Sequence, residues 1–190
     1  MDTRLLYTLL VGLIALERLF ELRLSAKNAA WAKARCGVER GQGHYPAMAA
    51  LHTAGLIAAP AEVWLLDRAF SPVLGAVCGV ILIGTMALRY WAVSTLGPRW
   101  NTRVIVVPGL GPVTDGPYRY LRHPNYLAVI LELGALPLLH GAWITALVSS
   151  TLNAWLLSVR IRAEEAALNE LCNYGEHMGA KPRLLPGKEG

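Results

Sequence analysis

Apolar residues in this chain fall into five blocks, at about 5–24, 47–66, 72–96, 126–140 and 142–159, separated by polar connections of unequal charge. A bilayer core takes about 20 helical residues, which each of the first three blocks supplies. The fourth is short, and only Gly141 separates it from the fifth. The pattern therefore predicts an all-α integral membrane protein of about five transmembrane helices, the last two forming a tight helical hairpin that need not cross the whole bilayer. One domain over 1–190 accommodates this: three N-terminal helices in 1–96, then a loop, the hairpin and a polar tail in 97–190. The first block follows Asp2 rather than a basic segment and lacks a small-residue cleavage site, so it reads as a membrane helix and not a cleaved leader.

Loop charge adds an orientation. The 23–46 connection carries Arg23, Lys27, Lys33, Arg35 and Arg40, and the 97–125 stretch carries Arg99, Arg103, Arg119 and Arg122. The 67–71 connection holds only Arg68, and the turn at Gly141 holds no basic residue. Basic and non-basic loops alternate as the positive-inside rule requires, which puts the N-terminus outside and the tail in the cytoplasm.

Composition agrees: 16% of residues are charged, against about 25% in a soluble domain. The net charge of +5 is spread over loops and not gathered in a stripe interleaved with aromatics, so nucleic acid is not an expected partner. Cys36, Cys78 and Cys172 are far apart and show no CxxC spacing, which predicts neither a zinc site nor a disulfide framework.

The 97–125 stretch is too rich in Pro and Gly for a membrane helix. It contains the β-branched run Val104–Val107 and reads as an ordered cytoplasmic loop. Its GLGPVTDG lacks both the spacing and the strand–helix context of a dinucleotide fingerprint.

Polar chemistry concentrates in GPYRYLRHPNY (116–126) and RIRAEE (160–165), at opposite ends of the apolar hairpin. Arg160 and Glu164 are four apart and share a helix face where α-helical chain leaves the bilayer. A guanidinium there can orient an acceptor oxygen, and a carboxylate can take its proton or face a cationic cofactor. The bland alternative is a surface ion pair. Arg162 and Glu165 lie on other faces and are expected at solvent or lipid headgroups. In the first motif, Pro124 suits the first turn of a helix. The unpaired backbone donors of such a start favour an anion, and His123 and Tyr126 add side-chain hydrogen bonds at that level.

Charges inside the blocks need protein partners or a wet cavity. Glu132 lies about 9 Å into the fourth helix and Arg89 is its natural partner, as a structural pair or beside a substrate hydroxyl. Glu17, Arg18 and Glu21 are expected as a structural cluster at the inner end of the first helix, and Asn153 as a contact between helices. His44, His52, His140 and His177 show no ligand-like spacing, and no metal is predicted.

Together, GPYRYLRHPNY, the short apolar hairpin and RIRAEEAAL resemble the isoprenylcysteine carboxyl methyltransferase family, taken broadly to include bacterial membrane members. The resemblance covers 96–171 best. It implies an integral membrane enzyme using S-adenosyl-L-methionine without a Rossmann fold. His123, Pro124 and Tyr126 match its cofactor-binding motif, in which Tyr118 and Arg122 also stand. Arg160 and Glu164 match the pair associated with acceptor and catalysis. GPRWNTRVIVVPG, ERLFELRLSAKN, HYPAM and Glu132 after HPNY are similar to a bacterial branch, often associated with type III polyketide synthases, that methylates hydroxyls of alkylpyrone or alkylresorcinol lipids. The implied partners are a lipophilic acceptor, or a prenylated cysteine, and membrane lipid, in a bacterial inner membrane. The chain departs from the family after Leu171, where CNYGEHMGAKPRLLPG replaces a Phe/Tyr-rich segment, so closure of a C-terminal lid is left open. An NADPH-dependent membrane reductase and a non-enzymatic membrane protein are the readings of another class.

Overall fold

The computed structural model describes residues 2–185. Five long helices form the body: α1 (Thr3–Lys33), α2 (Tyr45–Leu65), α3 (Pro72–Leu96), α4 (Pro124–Leu138) and α5 (Trp143–Cys172). Strands β1 (Val38–Arg40) and β2 (Val104–Val106) pair antiparallel, with Glu39 opposite Ile105, and a short α6 (Tyr174–Met178) follows α5.

Local chemistry sets the boundaries. Asp2 caps α1 by accepting from Arg4 N at 2.9 Å. Gly37 closes the far end, where its N–H reaches Ala32 O at 2.9 Å and a Cβ would sit 2.7 Å from that oxygen. Pro72 begins α3 behind Ser71, and Gly97 with φ +54° ends it. The start of α5 is capped from another helix. Glu62 of α2 accepts from Thr145 N at 2.7 Å, Thr145 Oγ1 at 2.8 Å and Ile144 N at 3.2 Å. Arg68 then balances the carboxylate at 2.7 Å.

Around the bundle the helices follow the order α1, α2, α5, α4, α3, and charged side chains close α3 back onto α1. Tyr7, Val11, Ile14, Val63, Cys78, Leu82 and Leu136 form the apolar centre. Leu9, Leu13, Ile83, Leu147 and Trp155 lie on the outside with more than half their surface uncovered or close to it. A chain this apolar on both sides of its helices has lipid as its solvent. By length and composition, three helical stretches suffice to cross a membrane: Gln42–Leu65, Pro72–Arg99 and Trp143–Cys172. At 15 residues, α4 extends about 22 Å, short of the roughly 30 Å hydrocarbon core. The 31-residue α1 carries Glu17, Arg18 and Glu21 in its middle. Three helices meet this criterion, and α1 and α4 complete the five-helix bundle.

The expected cluster on α1 is present, but the helix continues nine residues beyond Leu24, so it is not at the helix end. Arg18 holds Glu21 at 2.6 Å and Glu17 at 2.5 Å, and Arg89 holds Glu132 at 2.6 Å and Glu21 at 3.4 Å. The extension of α1 is polar because it carries the 97–125 loop. Asn28 Nδ2 donates to Trp100 O at 2.7 Å, and Ser25 Oγ to Asn101 Oδ1 at 2.9 Å. From the other side, Val104 and Val106 pack on Ala167, Leu168 and Leu171 of α5. The loop is thereby clamped between the polar ends of α1 and α5.

Removing one member of a buried charge network strands the others, at about 3–5 kcal/mol. Arg89→Met, which leaves Glu132 and Glu21 short of a cation, is expected to lower the melting temperature of detergent-purified protein markedly. An unchanged melting temperature would show that the network contributes nothing to stability.

Candidate functional site

The first motif is shaped by two backbone demands. Gly116 has φ +54°, and a Cβ there would lie 2.5 Å from Thr95 Oγ1 and 3.0 Å from Trp91 Nε1, so only glycine allows the turn Gly116–Arg119 to press onto α3. Pro124 then opens α4, fully buried. Between them Tyr118, Leu121 and His123 are buried. Two of the helix-start donors expected from the sequence are taken, and Pro124 has none to offer. Tyr126 N and Leu127 N bond to His123 O, while Arg122 N and His123 N donate to Pro182 O and Arg183 O at 2.9 and 3.0 Å. The start of α4 is therefore held by the chain's own tail and offers no open cluster of backbone donors at these positions.

Side chains supply the chemistry instead. Arg160 Nε donates to the Tyr126 hydroxyl at 2.6 Å, and that hydroxyl donates to Glu164. Arg160 is 6% exposed, its guanidinium carbon 5.4 Å from the Tyr126 ring centre. The His123 ring stacks on Tyr126, with centroids 5.2 Å apart and planes 17° from parallel. The two motifs, 34 residues apart at their contact, thus meet in one hydrogen-bonded unit of guanidinium, phenol and carboxylate.

Glu165 was expected at solvent or headgroups, and the structure corrects this. It is 7% exposed and binds His123 Nε2 at 3.0 Å, Arg122 Nη1 at 3.3 Å and Arg183 Nη2 at 2.7 Å. The reason is that α5 is enclosed on two sides here, by the motif loop and by the tail, so the face turned about 100° from Glu164 is buried as well. Arg162 follows the expectation: it is exposed and bonds back to Ser158. The tail that departs from the family pattern is firmly engaged as far as described. Lys181 Nζ donates to Tyr118 O at 2.8 Å, Leu184 packs with Met48 and Tyr126, and Tyr174 and Met178 of α6 bury against Tyr118 and Ala92. Residues 186–190 lie outside the described part.

Beside this unit is a cavity of about 150 Å3, walled by the motif loop, β2, the end of α5 and α6. Tyr118, Arg122, His123, Tyr126, Arg160 and Glu164 all border it. Pro124 is not among its lining residues; it is buried at the start of α4. Burial, with the Glu164 charge second, pushes the Tyr118 and Tyr174 hydroxyls far above the usual phenol range, so both stay protonated. The Glu165 hydrogen bond raises the already basic Arg183 further. Three buried polar atoms on the wall lack partners among the described residues: Trp100 Nε1, Arg122 Nε and Asn125 Oδ1. Native interiors rarely leave such atoms unmatched, so these wall residues carry hydrogen-bonding capacity that the protein itself leaves unused. Glu132 and Arg89 are not brought to this cavity; they pair with each other deeper in the bundle. Among the described residues, no three His, Cys, Asp or Glu side chains gather as a metal site.

Sequence reasoning missed Glu165, Arg183, Tyr174, Trp100 and Asn125. The tandem Glu164-Glu165 and a tryptophan amid prolines and glycines were the available signals. For Arg183 no local signal exists, since only the fold brings it to Glu165.

Comparison with known proteins accords with this geometry. An uncharacterized protein of Bacillus subtilis strain 168, YpbQ, is 39% identical over 165 residues, covering 87% of this chain and 98% of the relative. An uncharacterized protein of Haemophilus influenzae Rd is 28% identical over 155 residues, covering 81% of this chain and 90% of the relative. Residues 77–170, from α3 through the RHPNY turn to the Glu164-Glu165 pair, match a family whose members are membrane methyltransferases that generally use S-adenosylmethionine. With its hydrogen-bonded Arg160–Tyr126–Glu164 unit inside that matched stretch, this integral membrane protein belongs to the isoprenylcysteine carboxyl methyltransferase (ICMT) family.

Proposed function

We propose that this protein is an S-adenosylmethionine-dependent O-methyltransferase that acts on a lipophilic acceptor at the membrane, a hydroxyl of a polyketide lipid. The observation that carries this reading is the hydrogen-bonded run from Arg160 through Tyr126 to Glu164 on the wall of a cavity with unmatched polar atoms.

The wall residues suit S-adenosylmethionine. Glu164 and the rings of Tyr118, Tyr126 and Tyr174 favour a cationic centre. Arg122, Trp100 and Asn125 border the cavity and bring a guanidinium, an indole N–H and an amide suited to carboxylate, amine and hydroxyl groups. When bound, the cofactor supplies a methyl group already activated on sulfur. The protein's task is then alignment of an acceptor oxygen and exclusion of water. Arg160 is placed to orient that oxygen and stabilise its negative charge as the proton leaves. Tyr126 can pass the proton toward Glu164, to which its hydroxyl already donates. The lipid tail would enter sideways between α2 and α5, where Met48, Leu51 and Leu157 present an apolar seam beside Arg160. Loop charge supports a site and C-terminus on the cytoplasmic side, and the likeness to a bacterial branch of the family supports a bacterial inner membrane.

Arg160→Ala should reduce methyl transfer by on the order of 100-fold or more, while S-adenosylhomocysteine still binds. His123→Ala should chiefly weaken that binding. Normal turnover in Arg160→Ala would remove this residue from the mechanism. The acceptor class is read from radiolabelled methyl transfer to an alkylresorcinol, an alkylpyrone and a farnesylcysteine analogue: a base-stable product indicates a hydroxyl, whereas base-released methanol indicates a carboxylate.

Glu165→Ala leaves His123, Arg122 and Arg183 without their shared carboxylate. The tail should loosen, with faster amide exchange at Arg122 and His123, and S-adenosylhomocysteine binding should fall about tenfold, one charged hydrogen bond's worth. Unchanged exchange at both amides would show that the tail is held without Glu165.

A further inference from the structure

The tail beyond α6 comes back along α5 toward the apolar part of the bundle. Asn173, left-handed at φ +51°, turns the chain into α6, and residues 181–184 then run against the start of α4. This strap is well anchored. Lys181 Nζ donates to Tyr118 O at 2.8 Å, and Arg122 N and His123 N donate to Pro182 O and Arg183 O at 2.9 and 3.0 Å. Arg183 grips Glu165 through both Nε and Nη2. The anchors end there. Among the described residues, no hydrogen bond holds Leu184 or Leu185.

Leu184 turns its side chain into an apolar layer instead. It packs against a cluster made by Met48 of α2, Tyr126 of α4, and Leu156, Leu157 and Ile161 of α5. Leu185 beside it is 68% exposed. A pair of leucines directly after Lys181 and Arg183 is thus where a polar tail reaches the level of the lipid-facing surface.

The seat taken by Leu184 is one that a lipid at this site needs. Tyr126 and Met48 are both partners of Arg160, at 2.6 Å from Nε and 3.9 Å from Nη1. An alkyl chain whose polar end reaches Arg160 from between α2 and α5 lies along the same apolar residues. Leu184 and the chain cannot both cover them. The exchange has a threshold, because burying a leucine is worth about as much as burying two to four methylenes. A longer chain displaces Leu184 and a shorter one does not. The strap itself can stay in place, since its anchors all precede Leu184.

We propose that Leu184 is a gate on the acceptor's path. It closes the seam between α2, α4 and α5, yields to a lipid chain that buries more apolar surface than it does, and so sets the shortest chain the site takes up. That the lipid is a methyl acceptor rests on the reading above; the exchange of a leucine for a lipid chain does not.

The test uses the full chain in lipid nanodiscs, with pentadecylresorcinol and methylresorcinol as acceptors. Leu184→Ala should lower KM for the long-chain acceptor about tenfold, because the competing side chain is gone, with the shift confined to KM. The KM for methylresorcinol, whose chain is too short to displace a leucine, should not move. Amide exchange at Arg122 and His123 controls for an intact strap. Should it quicken in Leu184→Ala, Leu184→Val replaces that variant, and the expected fall is about fourfold, one methylene's worth. A KM for pentadecylresorcinol that stays or rises overturns the gate, since a leucine that lined the path or braced the fold would give those results.

A second readout needs no methyl transfer. The thiol introduced by Leu184→Cys is labelled with a maleimide and followed by mass spectrometry in its own peptide, apart from Cys36, Cys78 and Cys172. Pentadecylresorcinol should speed this labelling severalfold, and methylresorcinol should leave it as it was. Equal rates with and without the long chain overturn the gate. Absence of methyl transfer to either acceptor would count against the proposed function alone, and the labelling would then decide the gate.

Discussion

The hydrogen bond from Arg160 to the Tyr126 hydroxyl joins two stretches of chain far apart in sequence, and the site depends on it. Tyr126 is in the first turn of a short helix fixed by Pro124, and Arg160 is past the apolar part of a long one. Neither position is reached by water easily, so the guanidinium needs a partner that compensates its burial. Tyr126 provides it twice, through its oxygen and through its ring face. Glu164 then completes the charge balance one turn farther along α5. Because the three groups satisfy one another, the cavity beside them can remain polar without leaving Arg160 as an unpaired buried charge.

That arrangement works because α5 does not stop where the bilayer-compatible sequence stops. Thirty residues run without a break from the Glu62 cap to Cys172. The same rigid rod thus sets the depth of the apolar seam and the placement of Arg160, Glu164 and Glu165. A loop at this border would have let the apolar seam and the polar groups move independently. The continuous helix keeps them in register at 1.5 Å per residue. The far half of α5 then serves as a post around which β2, α6 and residues 181–184 are wrapped.

Much of this was legible in the sequence, for identifiable reasons. Ser71-Pro72 and Gly97 bound α3 as the expected block did, because capping residues and hydropathy changed together there. The end of α1 was not legible. Hydropathy falls at Leu24, yet the helix continues because Ser25 and Asn28 exchange lipid for the backbone of 97–102, and tertiary partners leave no periodic mark on one segment. That Arg160 and Glu164 share a face was readable from their i, i+4 spacing, which concerns one helix alone. The burial of Glu165 was not, because α5 is enclosed on more than one side at that level. Strand β1 was missed for a related reason: Val38–Arg40 is too short to declare itself without β2 opposite.

The buried charges in the bundle and those at the site solve different physical problems. In the Glu17–Arg18–Glu21–Arg89–Glu132 network most groups grip one another at 2.5–3.4 Å across three helices, which ties α1 and α3 to α4 where an apolar contact would slide. Such a network specifies the register of the helices more than it strengthens their association, since desolvation consumes much of the attraction. Around Glu165 one carboxylate meets three cationic or imidazole partners drawn from the motif loop and the tail. The effect there is closure: segments that would otherwise be surface loops are held against α5. Fixing the helices first makes that closure meaningful, because the tail can seat on Arg122 and His123 only if α4 and α5 already stand at the correct depth.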